Sequence, residues 1–199
     1  MPFPERLVVA THNRKKLHEI QTICVGWPVR LLGADEASWP AVEETGTTYL
    51  DNARLKAHAA ARATAVTALA EDSGIEVAGL DARPGPRSAR YAGESASDLE
   101  NLRQLVEEIR GLPEEERRAT YHCVAVVAWA DGREVWGEGA CEGTLLVEPQ
   151  GSGGFGYDPI FVPSGDSRTM AQLSLDEKNA ISHRGRALRA LAAKLCSGS

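Results

Sequence analysis

At 199 residues, with 43% hydrophobic and 25% charged side chains, the chain can bury a sizeable core as one domain (1–199), or one domain of two closely joined lobes, and disorder has little support. A formal net charge of −6 argues against a nucleic-acid polymer as partner, because polyanions are held by many basic residues that displace counterions. A small anionic ligand would need only a local basic cluster.

Leu7 to Ala10 is a short apolar run ending at Thr11-His12-Asn13, after which Leu17, Ile20 and Ile23 recur at helical spacing, so strand, loop and helix are expected in that order. A second helix fits Thr47 to about Val66, capped by Thr47 or Thr48 and rich in alanine. Leu69-Ala70 reads as a strand leading into Glu71-Asp72-Ser73-Gly74, where a turn is expected to aim Asp72 outward. Gly79 to Gly93 reads as a loop, and Leu99 to Ile109 as an amphipathic helix ended by Gly111 and Pro113. Tyr121 to Trp129 and Glu134 to Val147 are strands around a turn at Asp131-Gly132. Ile160 to Val162 is a short strand after a glycine-rich loop, and a last helix starts after Ser174 or within 176–180. Helices alternating with strands in front of a hairpin imply an α/β fold with a mixed sheet flanked by helices.

No stretch approaches the roughly 18 apolar residues of a membrane span, and MPFPERL enters the first strand without a signal-peptide pattern, so a cytoplasmic location away from membranes is expected. Cys24, Cys123, Cys141 and Cys196 form no C-x-x-C pair, which favours free thiols in a reducing compartment.

Asn13, Arg14, Lys15 and Lys16 stand where a strand opens into a helix. Free N–H groups and the dipole there favour an anion, and the lysines add point charges. A basic helix face is also commonly just solvated, and the loop alone leaves both readings open. Glu43, Glu44, Asp51 and Asp72 lie near loop and strand ends, where hard cations find oxygen ligands; Mg2+ in particular binds through one or two carboxylates plus substrate phosphates. Alternatively Asp72 caps a turn and the glutamates are solvated. Asn52 and Lys56 share one face of the second helix, so Lys56 can reach the site of Glu44.

The run Gly151-Ser-Gly153-Gly-Phe-Gly156 satisfies G-x-G-x-x-G, but Tyr157-Asp158-Pro159 follows it, and proline blocks the helix that a dinucleotide fingerprint must open. A glycine loop carrying an aromatic suits a base stacked on Phe155 beside backbone amides. Lys178, Ser182, His183 and Arg184 gather donors of several kinds within seven residues.

Taken in order, ATHNRKKLHEI (10–20), EETGTTYLDNARLKA (43–57), EDSGIEV (71–77), PGPRSARYAG (84–93), GGFGYDPIF (153–161) and DEKNAISHRGRAL (176–188) resemble the inosine/xanthosine triphosphate pyrophosphatase family over nearly the whole chain. The resemblance implies two lobes on a long mixed sheet with a nucleotide cleft between them, a homodimer, and Mg2+-dependent hydrolysis of non-canonical purine nucleoside triphosphates to the monophosphate and pyrophosphate. It assigns phosphate contacts to Thr11, Asn13 and Lys16, with the catalytic candidate Lys56 beside them; His12, Arg14 and Lys15 of the same loop are further candidates for substrate binding. Glu44 and Asp72 would bind the metal, Asp72 also serving as proton acceptor. Ser73, Phe155, Gly156, Tyr157, Asp158, Lys178, His183 and Arg184 would contact the nucleotide. His12 stands where relatives usually have glycine, which raises the question of a positive φ in the loop, and Glu71 where many have aspartate. A pyrophosphatase for other modified nucleotides and a nucleotide-binding regulator without turnover are the competing readings.

Overall fold

A computed structural model describes residues 2–196. Its elements run β1 (Arg6–Val9), α1 (Arg14–Ile23), β2 (Arg30–Leu32), α2 (Tyr49–Thr64), β3 (Ala68–Val77), α3 (Asp98–Ile109), β4 (Arg118–Ala128), β5 (Glu134–Leu145), β6 (Phe161–Pro163), α4 (Leu175–Ile181) and α5 (His183–Cys196), with short 3-10 turns between them. The six strands form one sheet in the order β2-β1-β3-β4-β5-β6. β1 pairs in parallel with β2 and β3, while β5 and β6 are antiparallel, so the sheet is mixed, as the alternation of helices and strands predicts. Among the described residues no helix is long and apolar enough to cross a membrane.

The chain divides into two compact units. The first comprises Met1–Asp72, Cys123–Gly139 and His183–Ser199; the second Ser73–His122 and Ala140–Ser182. In the first, alternation along β1 sends Leu7 and Val9 to one face, with Ile20 of α1 and Ala187, Leu188, Leu191 and Leu195 of α5. Val8 and Ala10 go to the other, against Ala53, Ala57, Ala60 and Ala61 of α2. Small alanines let α2 lie close on the strands. α5 lies as close for another reason: a Cβ on Gly139 would strike the backbone of His183 and Ala187, and one on Gly137 that of Leu191 and Ala187. These glycines set the depth at which His183 and Arg184 begin their helix.

In the second unit Ile75, Val77, Ala119, Tyr121 and Phe161 pack against Leu102, Leu105, Val106 and Ile109 of α3. Ser97 and Glu100 close a capping box at the start of α3. Fully burying one such leucine or isoleucine contributes about 1.5–3 kcal/mol, so these faces dominate the stability of each unit.

Two expectations need correction. No turn forms at Glu71-Asp72-Ser73-Gly74; β3 runs straight through it. Gly74 marks a close approach instead, since a Cβ there would collide with the carbonyl of Gly85. The last helix is two helices, because Ser182 takes the extended backbone of a cap between α4 and α5. β2, at three residues, is too short for periodicity to reveal.

Candidate active site

Because β3 is a continuous strand, Glu71 and Asp72 point to opposite faces of it. Asp72 turns toward α2, where two helical residues one turn apart meet its two oxygens. Lys56 Nζ donates to Oδ1 at 3.0 Å and Asn52 Nδ2 donates to Oδ2 at 3.2 Å. Lys56 also donates to Glu44 Oε1 at 2.6 Å, so one lysine is shared by two carboxylates from separate segments. Burial lifts the Asp72 carboxyl above its usual range; Lys56 opposes this and Glu44 reinforces it. For Lys56 burial favours the neutral amine, but Asp72 and then Glu44 outweigh it and its pKa is raised. The lysine is thus held as a cation and the aspartate as a stronger base than a solvated one.

Glu71 turns toward α1 and α5. Lys16 Nζ lies 2.8 Å from its Oε1, Arg184 Nη2 donates at 3.2 Å, and Cys123 Sγ donates to Oε2 at 3.2 Å. Arg184, only 2% exposed, gives its other terminal nitrogen to Glu19 at 2.5 Å. Burial works to raise the Glu71 carboxyl, but Arg184 and then Lys16 carry it well below the usual carboxylate range.

At the start of α1, Asn13 caps the helix, its Oδ1 accepting from the amides of Lys15 and Lys16 at 3.0 and 3.1 Å. Thr11 Oγ1 accepts from the Asn13 amide at 3.2 Å. Arg14 and Lys15 project into solvent, with no acidic residue in the first turn to oppose an anion there. His12 is exposed and stacked on Trp39 at 5.3 Å; its φ is not positive, so the histidine sits in the loop without left-handed strain.

The second unit builds a different assembly. Lys178, 4% exposed on α4, donates to Asp158 Oδ2 at 2.5 Å and lies 4.9 Å from the centre of the Phe155 ring. The same Asp158 oxygen accepts the Phe155 amide at 2.8 Å, which ties the glycine loop to the helix. Gly154 has φ 66° and a Cβ there would meet the Asp158 carboxylate, so loop geometry and ion pair both require glycine. Tyr157 donates to the Ser88 carbonyl at 2.8 Å, anchoring this loop to the Ser88-Ala89-Arg90-Tyr91 segment. Gly156 follows Phe155 with φ 60°, and no helix continues from the glycines, as Pro159 predicts.

The first unit therefore brings together Glu44, Lys56 and Asp72 on one side of β3 and Lys16 with Glu71 on the other, with Thr11 and Asn13 at the capped start of the helix that carries Lys16, and the second brings together Phe155, Tyr157, Asp158 and Lys178. Ser73 lies half-buried on β3, and His183 is buried at the first position of α5. Arg184, expected to contact nucleotide, has its terminal nitrogens on Glu19 and Glu71. Sequence reasoning passed over Glu19, Cys123 and Asn52 as participants. Asn52 carried a signal, sharing a helix face with Lys56; Glu19 and Cys123 carried none, because their partners come from distant segments.

Among the described residues no group of three or more His, Cys, Asp or Glu is arranged to hold a metal. Glu44 and Asp72 form a two-carboxylate pair, which fits a cation completing its shell with water and substrate oxygens rather than a closed protein cage.

Comparison with known proteins agrees with this geometry. The Ham1 family matches residues 7–194. A dITP/XTP pyrophosphatase of Geobacter sulfurreducens is 48% identical over 187 residues, 94% of each chain. One of Streptomyces coelicolor is 49% identical over 189 residues, again 94% of each. Among solved structures, a HAM1 protein from Coxiella burnetii superimposes with a TM-score of 0.86 at 40% identity, covering 96% of this chain and 98% of the other. The Staphylococcus aureus Ham1 protein gives 0.84 at 37% identity, covering 98% and 100%. A match of this extent, in both sequence and fold, places the chain in the Ham1 family.

Proposed function

We propose that the protein hydrolyses non-canonical purine nucleoside triphosphates, such as the inosine and xanthosine nucleotides, to the monophosphate and pyrophosphate. The observation that carries this reading is the sharing of Lys56 by Glu44 and Asp72, two carboxylates against one lysine at a buried strand. The donor set suits Mg2+, which would neutralise charge on the phosphate oxygens when bound to Glu44 and Asp72. The names of the relatives support the substrate class.

Asp72 accepts the proton of the water that attacks the α-phosphorus, and its burial-raised pKa makes it the better base for that step. Activity on the acid side falls as this carboxyl protonates. Lys56 and Lys16, with Arg14, Lys15 and the capped end of α1, hold the phosphate oxygens in line. Phe155 stacks the base, and the Lys178 ammonium against its ring fixes that platform. His183 donates to the O6 keto oxygen of the base, whereas adenine presents a donor at that position. Two donors left facing one another cost about 1–3 kcal/mol, enough to discriminate strongly. Arg184 supports the site through Glu71. The reading includes a cytoplasmic homodimer, which sedimentation equilibrium giving only monomer would remove.

The deciding measurement is pyrophosphate release from dITP, XTP and ITP, set against dATP, dGTP and modified pyrimidine triphosphates, with Mg2+ and with excess chelator. Selective, metal-dependent release from the first group is expected. Preference for the pyrimidines, or binding of ITP without turnover, would overturn the reading.

A further inference from the structure

Asn52 is the one fully buried amide side chain on α2, at 0% exposure, and it bridges two segments that the proposed chemistry needs in fixed relation. Its Oδ1 accepts the backbone amide of Gly46 at 2.8 Å, and its Nδ2 donates to Asp72 Oδ2 at 3.2 Å. The first bond decides the orientation of the second. A backbone N–H can only donate, so the amide oxygen must face Gly46 and the NH2 must face Asp72. Gly46 is shaped for this contact: a Cβ there would lie 2.6 Å from Asn52 Oδ1 and 2.7 Å from the Asp51 Cβ. Two residues before Gly46 stands Glu44, whose carboxylate meets the lysine that also meets Asp72.

We infer that Asn52 is a positioning residue: it fixes the rotation of the Asp72 carboxylate and, through Gly46, the loop that presents Glu44, so that the two acids face a shared cation in one geometry. Lys56 alone cannot do this for Asp72, because its flexible ammonium meets only one of the two carboxylate oxygens. The Asn52 amide holds the remaining Asp72 oxygen and anchors the loop to the rigid first turns of α2, where Thr48 caps the helix and accepts from the Asp51 amide at 3.1 Å. The inference rests on the proposed role of Asp72 and Glu44.

The test is a double-mutant cycle of Asn52→Ala and Gly46→Ala on the full chain, read in three ways: kcat and KM for ITP, the Mg2+ concentration at half-maximal activity, and Mg2+ binding by calorimetry without nucleotide. Each single variant should lose about 10–100-fold in metal affinity or kcat, the range seen when supporting groups around metal ligands are removed. KM for ITP should change far less. The double variant should be no more than about threefold worse than the worse single, because both substitutions break one contact chain.

A purely structural role would lower the melting temperature while leaving the Mg2+ half-saturation and the turnover of the folded fraction unchanged. That result, or losses that multiply independently, would overturn the inference. If Asn52→Ala does not fold, Gly46→Ala reads the same bond from the loop side, and a wild-type Mg2+ response there overturns it equally. Asp72→Asn serves as the control. Full turnover in that variant sinks the assignment of the site, whereas a dead Asp72→Asn beside an unaffected Asn52→Ala sinks only the role of Asn52.

Discussion

Two carboxylates one residue apart on β3 meet different chemistry on the two sides of the strand. Glu71 enters a buried network in which Glu19 and Glu71 are matched by Lys16 and Arg184, two acids against two bases. Asp72 enters a cluster in which Glu44 and Asp72 share Lys56. Their pKa values move in opposite directions, Glu71 far down and Asp72 up. On the Glu71 side the acids are held by cations from α1 and α5. The Asp72 side, where two acids meet one lysine, is where a cation and a phosphate chain would be accommodated. Strong perturbation of a titratable group marks a functional candidate, and here the direction of the shift separates the candidate from its neighbour.

The sharpest way to break this contrast is to neutralise each acid in turn. Asp72→Asn should lower kcat by about 10^2–10^4-fold, the usual value of a general base together with its share of metal binding. Its stability should change little. By linkage, a carboxyl whose folded pKa exceeds its unfolded value is costly in its ionised form at pH 7, and asparagine relieves that cost, but its NH2 then faces the donor of Lys56 or Asn52, which offsets the gain. Pyrophosphate release and thermal unfolding on the same preparation check both halves, and a marked loss of melting temperature would put Asp72 in the same class as Glu71.

Glu71→Gln should show the reverse signature. Removing one member of a buried, matched network leaves Arg184 and Lys16 short of a partner, which costs about 3–5 kcal/mol. Turnover of the protein that remains folded should fall less than in Asp72→Asn. Denaturant unfolding at pH 7 measures the loss, and a cost below about 1 kcal/mol would show that the network does not stabilise the first unit.

Acid should then close the gap between wild type and Glu71→Gln. A carboxylate with a depressed folded pKa contributes stability that is present above its unfolded value, near 4.5, and lost as pH falls through the folded one. The difference in melting temperature should therefore hold from pH 7 to about 5 and narrow only as the pH falls below about 4.5 toward 3. A constant difference across that range would mean that the loss arises from packing and not from charge.

Much of this arrangement was legible beforehand where one segment carries both the pattern and the chemistry. The capped start of α1, the alanine face of α2 and the interrupted glycine loop at 151–158 each follow from local spacing and from what proline and glycine permit. The pairing of Lys56 with Glu44 also followed, because helix period puts that lysine within reach of the loop before it. The strand through Asp72-Ser73-Gly74 was hidden, since a glycine required by the Gly85 carbonyl looks in sequence like a glycine required by a turn. The Arg184 network was hidden for a different reason. Glu19, Glu71, Cys123 and Arg184 come from four elements, and only the packing of α1 and α5 on one face of the sheet brings them together.

The mildest test of the contrast concerns Cys123, whose thiol donates to Glu71 Oε2 from β4. Burial first, and then the neighbouring Glu71 charge, push this thiol well above its ordinary pKa, so it stays protonated and acts as a weak donor, not as a nucleophile. Cys123→Ser keeps a donor of similar size at that point, whereas Cys123→Ala deletes it and leaves one glutamate lone pair without its hydrogen bond. The alanine variant should lose about 1 kcal/mol relative to serine, the net value of a buried hydrogen bond. The two variants should converge when each is combined with Glu71→Gln, because the charged acceptor is then gone. In native protein the thiol should resist alkylation on the timescale over which exposed Cys196 reacts. Rapid alkylation of Cys123, or an alanine variant as stable as serine, would show that the Glu71 side holds its carboxylate through Arg184 and Lys16 alone.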